Sequence, residues 1–257
     1  MFRSLWPNRH LIVELTRRQF SVRYRQSVGG VAWAIVIPLA TLGAANLVFH
    51  RVAGVSSGSS SYLLVTAAAL IPWTFFAQSF TTGVPSVISA QPMVSRLAFP
   101  KSALPLSSVG LSFIDLAIST LIFLVLLYSM GEGLAVTAIW VPALLLLELV
   151  LVVGVVLLGS ALNVFARDVR LAVPMIVQLW LFLTPVMYPL RAVSDQLRPW
   201  FLANPMTGLV EAFREVLVYG NSPQLELLLP TLIGAGCLIL LGSWYFSATE
   251  SRFADVV

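Results

Sequence analysis

Six long apolar spans divide this chain, and they constrain its fold before any motif is considered. They run Val28–Phe49, Tyr62–Val84, Pro105–Tyr128, Ala138–Phe165, Leu171–Tyr188 and Leu225–Phe246. Each is near or above the roughly 18–20 residues that a helix needs to cross a hydrocarbon core. Six crossings put both termini on one face. Arg3, Arg9, Arg17, Arg18, Arg23, Arg25, Arg96, Lys101, Arg167, Arg170 and Arg252 then share that face, while Arg51, Arg191, Arg198 and Arg214 lie on the other. The excess of positive charge identifies the first face as cytoplasmic. The expected fold is all-α: a polytopic membrane protein with six transmembrane helices, N-in and C-in. The whole chain, 1–257, reads as a single transmembrane domain, with a cytoplasmic interfacial segment at 1–27, the bundle at 28–249 and a cytoplasmic tail at 250–257.

Hydrophobic residues make up 58% of the chain and charged residues 10%. A soluble domain carries about 25% charged residues, so that class is excluded. The net charge of +4 sits beside the spans, which favours anionic lipid headgroups over nucleic acid. The single cysteine, Cys237, lies mid-span and provides neither a disulfide framework nor a cysteine metal site. Residues 1–25 are Arg-rich with no apolar core and do not read as a signal peptide.

Chemistry is narrowed by what the sequence lacks. It contains no G-x-x-x-x-G-K-[ST] loop, and its only lysine, Lys101, follows Phe99-Pro100. The chain therefore has no P-loop with which to cradle a nucleotide. His10 and His50 are expected on opposite faces, so no histidine cluster forms. A conduit fits better than a catalyst.

Two segments outside the spans carry pattern. His10–Arg25 interleaves Leu11, Ile12, Leu15, Gln19 and Val22 with arginines, as an amphipathic helix lying along the cytoplasmic surface does. On the outer side, Leu190–Gln224 is long and only half polar. Within it Asn204 can cap a helix, Pro205 suits its first turn and Gly220 can end it. Leu209, Val210, Phe213, Val216 and Leu217 would form an apolar side, with Glu211, Arg214 and Glu215 on a charged one; Glu211 and Arg214 are spaced to pair. A re-entrant-like pair of helices dipping into the outer leaflet, acting as a gate or a plug, is the expectation.

Motifs follow one another in register: Arg23-Tyr24-Arg25-Gln26-Ser27, Trp33-Ala34 and Pro38-Leu39; Phe99-Pro100 with Leu104-Pro105; Asn163-Val164-Phe165-Ala166-Arg167-Asp168; Thr184-Pro185-Val186-Met187-Tyr188-Pro189; Asn204-Pro205; and Phe246, Glu250 and Phe253-Ala254-Asp255-Val256. From about Arg17 to Val256 the chain resembles the membrane subunits of ABC-2 type polysaccharide exporters, the permeases for O-antigen, teichoic acid and capsule. Gln19 stands where an Asp often follows the arginine pair, and Gly29 where Leu is usual; Gly29-Gly30 would loosen the junction ahead of the first span.

The resemblance implies a half-transporter of the inner membrane. Two copies of this chain form the pathway and two copies of a separate ABC ATPase drive it. ATP and Mg then belong to that partner, and no cofactor belongs to this chain. Gln91–Ala103 would carry a coupling helix, and Arg167–Arg170 a second contact, with Phe99, Lys101, Arg167 and Asp168 as the coupling residues. The cargo would be a lipid-linked polysaccharide. Its diphosphate would meet Arg23, Arg25 and Arg96 at the entrance, since guanidinium binds phosphate bidentately. Trp33, Trp73, Phe76 and Tyr188 are the candidate aromatic surfaces for sugars, against the plainer reading of span aromatics as packing. Asn204, Pro205, Glu211 and Arg214 would form the outer gate. Asp115 and Glu148, ionisable groups inside spans three and four, are expected to face a partner or water. A permease for a small amphiphile or drug shares the architecture, and a membrane-embedded polyprenyl-phosphate transferase is a more distant alternative.

Overall fold

The computed structural model describes residues 9–25, 32–52, 54 and 61–256. The Gly29-Gly30 junction and the expected start of the first span at Val28 lie outside them. The described residues are predominantly helical and include no strand. Its helices are α1 (Arg9–Arg25), α2 (Ala32–Ala45, continued by a π-helical stretch Asn46–Val52), α3 (Tyr62–Gly83), α4 (Ser86–Ser89), α5 (Gln91–Arg96) and α6 (Ala103–Ser129). They are followed by α7 (Val141–Phe165, entered through a 3-10 turn Val136–Trp140), α8 (Asp168–Leu183), α9 (Arg198–Ala203), α10 (Pro205–Arg214, continued by a π turn Glu215–Tyr219), α11 (Leu225–Thr249) and α12 (Phe253–Val256).

Five of these helical stretches are long and apolar enough to cross a membrane: Ala32–Phe49, Tyr62–Gly83, Ala103–Ser129, Val136–Phe165 and Leu225–Arg252. The expected fifth span is shorter than the sequence pattern indicates. α8 has 16 residues, about 24 Å of helix, and stops at Leu183 instead of continuing to Tyr188. Thr184 precedes Pro185 and Tyr188 precedes Pro189, and the residue before a proline is driven out of the helical region. Hydropathy does not register that break.

α3 is the central helix. Leu64 to Ile71 are buried continuously, and Phe75 and Phe76 are fully enclosed. α2 buries only Leu42 and Ala45, and α8 only Val173; their other residues face outward or are half-covered. In lipid an exposed apolar face carries little penalty, so burial here reports packing between helices. The tightest crossing joins α7 to α11. A Cβ added at Gly154 would lie 2.5 Å from the Ile239 nitrogen, and one at Gly242 would collide with the Gly154 carbonyl. Only glycine at both positions lets these two backbones meet.

The bundle has two distinct ends. One gathers the start of α3, the α6–α7 connection, Thr184–Pro189, α9 and α10. At the other, α1, α4, α5, the start of α6 and α12 surround an apolar cluster of Leu15, Val87, Val94, Leu104, Leu157, Phe246 and Phe253. The two ends hold the two groups of polar residues considered next.

Candidate functional site: two cavities, a seam and a clamp

α1 lies against α6 along a polar seam. Gln19 Nε2 donates to Ser107 Oγ at 2.8 Å, and Thr16 Oγ1 sits 3.2 Å from the Ser107 carbonyl. One turn further on, Arg23 Nη1 donates to Asp115 Oδ2 at 2.6 Å. The carboxylate expected to need a partner within a span thus finds one on α1. Its side chain is only 12% exposed, against 33% for Arg23.

Two cavities adjoin this seam. The larger, about 550 Å³, is enclosed by α1, the end of α3, α4, α5 and the start of α6; Arg18 and Arg23 are its charged members, beside Gln19, Ser86 and Ser108 and an apolar wall of Leu15, Val22, Met93, Leu104 and Leu111. The smaller, about 210 Å³, lies between α2, α3 and α6 and is lined by Trp33, Thr41, Thr74, Gln78 and Ser119. Arg23 lines both. Two guanidinium groups over an apolar wall suit an anion carrying a hydrocarbon tail.

The entrance arginines named from sequence separate in space. Arg23 lines both cavities; Arg96, at the end of α5, is exposed and lines neither. The side chain of Arg25 lies outside the described residues. Arg18 was not among them, although Leu15, Arg18, Gln19 and Val22 share a helical face at three- and four-residue spacing and all line the larger cavity.

At the opposite end, Asn204 caps α10 by accepting from the Met206 N–H at 3.0 Å. Its Oδ1 also accepts from Trp180 Nε1 at 3.0 Å, and its Nδ2 donates to Thr184 Oγ1 at 2.8 Å. The carbonyl of Pro205 accepts from Thr231 Oγ1 at 2.6 Å, tying α10 to α11. Gly220 ends the helix in the left-handed conformation, φ 68°. Glu211 and Arg214 pair at 2.7 Å, as their spacing indicates.

Of the expected charged side, however, Glu211 and Arg214 are locked inside the protein, and only Glu215, in the π turn that follows, is partly exposed. Arg214 is 1% exposed; its Nε donates to the Val65 carbonyl at 3.2 Å and its Nη2 to the Val186 carbonyl at 2.7 Å. Glu211 also accepts from the Leu190 N–H at 2.9 Å. This clamp joins α10, α3 and the Thr184–Pro189 segment, where Tyr62 donates to the Met187 carbonyl at 2.6 Å.

The expected coupling residues share the end that holds α1. Phe99 packs on the apolar cluster there. The Lys101 N–H donates to Glu250 Oε1 at 2.6 Å and its Nζ to the Glu250 carbonyl at 3.2 Å, which fastens this loop to the end of α11. Phe253 is fully buried, edge-on to Phe246 at 5.2 Å. Arg167 and Asp168 are exposed and form no ion pair with each other. Behind them, buried Asn163 accepts from the Arg170 N–H at 3.0 Å and donates to the Val84 carbonyl at 3.3 Å, so the α7–α8 turn is bound to the end of α3.

Of the candidate pathway aromatics, Trp73 and Phe76 are enclosed in the core of the chain, Phe76 lying edge-on to Trp180 at 4.9 Å. They act as packing in this conformation. Trp33 is 52% exposed, and half-buried Tyr188 donates to the Phe182 carbonyl at 2.6 Å. Glu148 is fully buried and, among the described residues, neither carboxyl oxygen has a hydrogen-bond partner. The described residues also include no cluster of three His, Cys, Asp or Glu side chains placed to hold a metal ion.

Five helical stretches of membrane-crossing length and composition mark a multi-pass membrane protein. The chain belongs to the ABC-2 type transporter family, which it matches over residues 10–218. It is similar to the O-antigen export system permease protein RfbA of Myxococcus xanthus, at 26% identity over 100% of this chain and 99% of that protein. The RfbA of the same description from Klebsiella pneumoniae is 26% identical over 96% of this chain and 95% of its own length.

Proposed function

We propose that this chain is the membrane-spanning permease subunit of an ABC exporter that carries a polyprenyl-diphosphate-linked polysaccharide, such as an O-antigen, a teichoic acid or a related glycan, across the inner membrane. The observation that carries the reading is the end-to-end likeness to O-antigen export permeases, over essentially the full length of both chains. In this reading the chain crosses the membrane six times, N-in and C-in, with α8 and Thr184–Pro189 together making the fifth crossing. It works as a homodimer with two copies of an ABC ATPase, which holds the ATP and Mg²⁺.

The diphosphate is the part of the cargo that hydrocarbon rejects most strongly. Arg96, exposed on α5, meets it at the surface, and Arg18 and Arg23 hold it in the larger cavity while the prenyl chain follows the apolar wall. ATPase movement reaches the bundle through α5, Phe99, Lys101 and the Arg167-Asp168 turn. Because Lys101 is fastened to Glu250 and Asn163 to Val84, force on either loop is passed to α11 and α3. Trp33 and Tyr188 remain accessible to sugar rings, and the Asn204–Arg214 clamp holds the outer end closed.

The test is to deplete the chain in its native cell and assay polyprenyl-diphosphate-linked glycans on each side of the membrane. Cytoplasmic accumulation of a completed glycan with loss from the surface is expected. Normal sidedness would overturn the polysaccharide reading and favour a permease for a smaller amphiphile. Arg96→Ala is expected to slow export while the assembled complex stays intact, and export at the wild-type rate would remove Arg96 from the entrance.

A further inference from the structure

The Arg23–Asp115 pair stands between the two cavities. Arg23 lines both, and Asp115 lines the smaller. On the side of the larger cavity the neighbouring charge is Arg18; on the other side Asp115 is accompanied by Trp33, Gln78 and Ser119. The pair is not the only contact that holds α1 in place. The Thr16 and Gln19 contacts to Ser107 fix α1 to α6 about one turn earlier, and they are neutral. Arg23 can therefore exchange the Asp115 carboxylate for another anion while these neutral contacts keep α1 on its seam.

We propose that this ion pair is a displaceable partition: a lipid-linked diphosphate entering the larger cavity takes Arg23 from Asp115 and so joins the two cavities. The idea rests on the lipid-diphosphate reading above and adds to it the event that follows binding. The exchange is favourable on chemical grounds. A diphosphate presents more charge and more acceptor oxygens than one carboxylate, it matches the guanidinium fork, and Arg18 on the same wall adds a second cation. Asp115, relieved of the Arg23 guanidinium, presents a carboxylate to the smaller cavity that it already lines. There, with Gln78, Ser119 and the Trp33 ring, it offers the hydrogen-bond acceptors and the flat apolar surface that a hydroxyl-rich sugar requires. Asp115 would thus first close the cavity and then receive the glycan end of the cargo.

The test uses the full-length chain in lipid nanodiscs with farnesyl diphosphate as the probe and inorganic diphosphate as the control. Asp115→Asn removes the carboxylate that competes with the diphosphate for Arg23 and is expected to tighten farnesyl diphosphate binding by about tenfold, the scale of one charge-assisted contact. Arg23→Gln is expected to weaken binding at least as much, whether residue 115 is Asp or Asn. A second arm leaves both residues native. In a Cys237→Ser background, Ser119→Cys is expected to react with a small thiol reagent severalfold faster when farnesyl diphosphate is bound.

If the wild-type chain binds farnesyl diphosphate but Asp115→Asn leaves affinity unchanged or lowers it, and labelling of residue 119 does not respond, the partition is refuted while the lipid-diphosphate reading stands. If the wild-type chain does not bind the probe at all, both fall. Inorganic diphosphate binding as tightly as the farnesyl compound would overturn the assignment of the larger cavity to a lipid.

Discussion

The buried clamp at Arg214 offers the sharpest test of how α10 is held against α3 and the Thr184–Pro189 segment. Arg214→Met keeps most of the side-chain volume and removes three hydrogen bonds: to Glu211 Oε1 at 2.7 Å, to the Val65 carbonyl at 3.2 Å and to the Val186 carbonyl at 2.7 Å. It also leaves the Glu211 carboxylate, itself 8% exposed, with the Leu190 N–H as its remaining described partner. Hydrogen bonds to charged groups contribute about 1.5–3 kcal/mol each, but those sharing one side chain do not add. Breaking a buried pair from one side typically costs about 3–5 kcal/mol, because a charge is left without compensation. The expected loss is therefore about 4 kcal/mol, or roughly a 10 °C fall in melting temperature for a chain of this size. The double variant Glu211→Leu/Arg214→Met removes both charges and is expected to recover at least half of that loss. Thermal melting of the detergent-solubilised protein, followed by fluorescence-detected size exclusion, measures both variants. A single variant melting within about 2 °C of wild type, or a double variant that loses the sum of the two singles, would refute the clamp.

Gly154→Val is expected to abolish the folded bundle, since its Cβ would enter the α11 backbone, whereas Gly236→Ala on the same α11, with nothing within 4 Å of the added carbon, leaves melting unchanged. Equal behaviour of the two would deny that α7 and α11 meet through glycine. Asn204→Ala removes a helix cap and the link to Trp180 and Thr184, at a cost of about 1–2 kcal/mol. The same melting assay reads it, and a shift below about 1 °C would count against the hub. Glu148→Met places an apolar side chain of similar length where two carboxyl oxygens lack partners, and melting at or above the wild-type temperature is expected. A clear fall would reveal a partner for Glu148.

Sequence alone determined the membrane class, the helical architecture and most helix positions, because a hydrocarbon solvent imposes a length and a composition that any single segment displays. It also determined the local features of α10: the Asn204 cap, the Pro205 start, the Gly220 end and the Glu211–Arg214 pair are contacts between near neighbours, and local spacing encodes them. What it left open was which face of each segment meets another. Trp73 and Phe76 look like surfaces for a sugar until the core encloses both and α8 brings Trp180 against Phe76. Arg23 looks like one of several entrance arginines until α6 delivers Asp115 from 92 positions away. Gly154 signals nothing on its own helix because its partner, Gly242, is on another. In lipid, apolarity does not distinguish a packed face from an exposed one, so these pairings depend on shape and polar contacts between distant segments, and only the tertiary structure decided them.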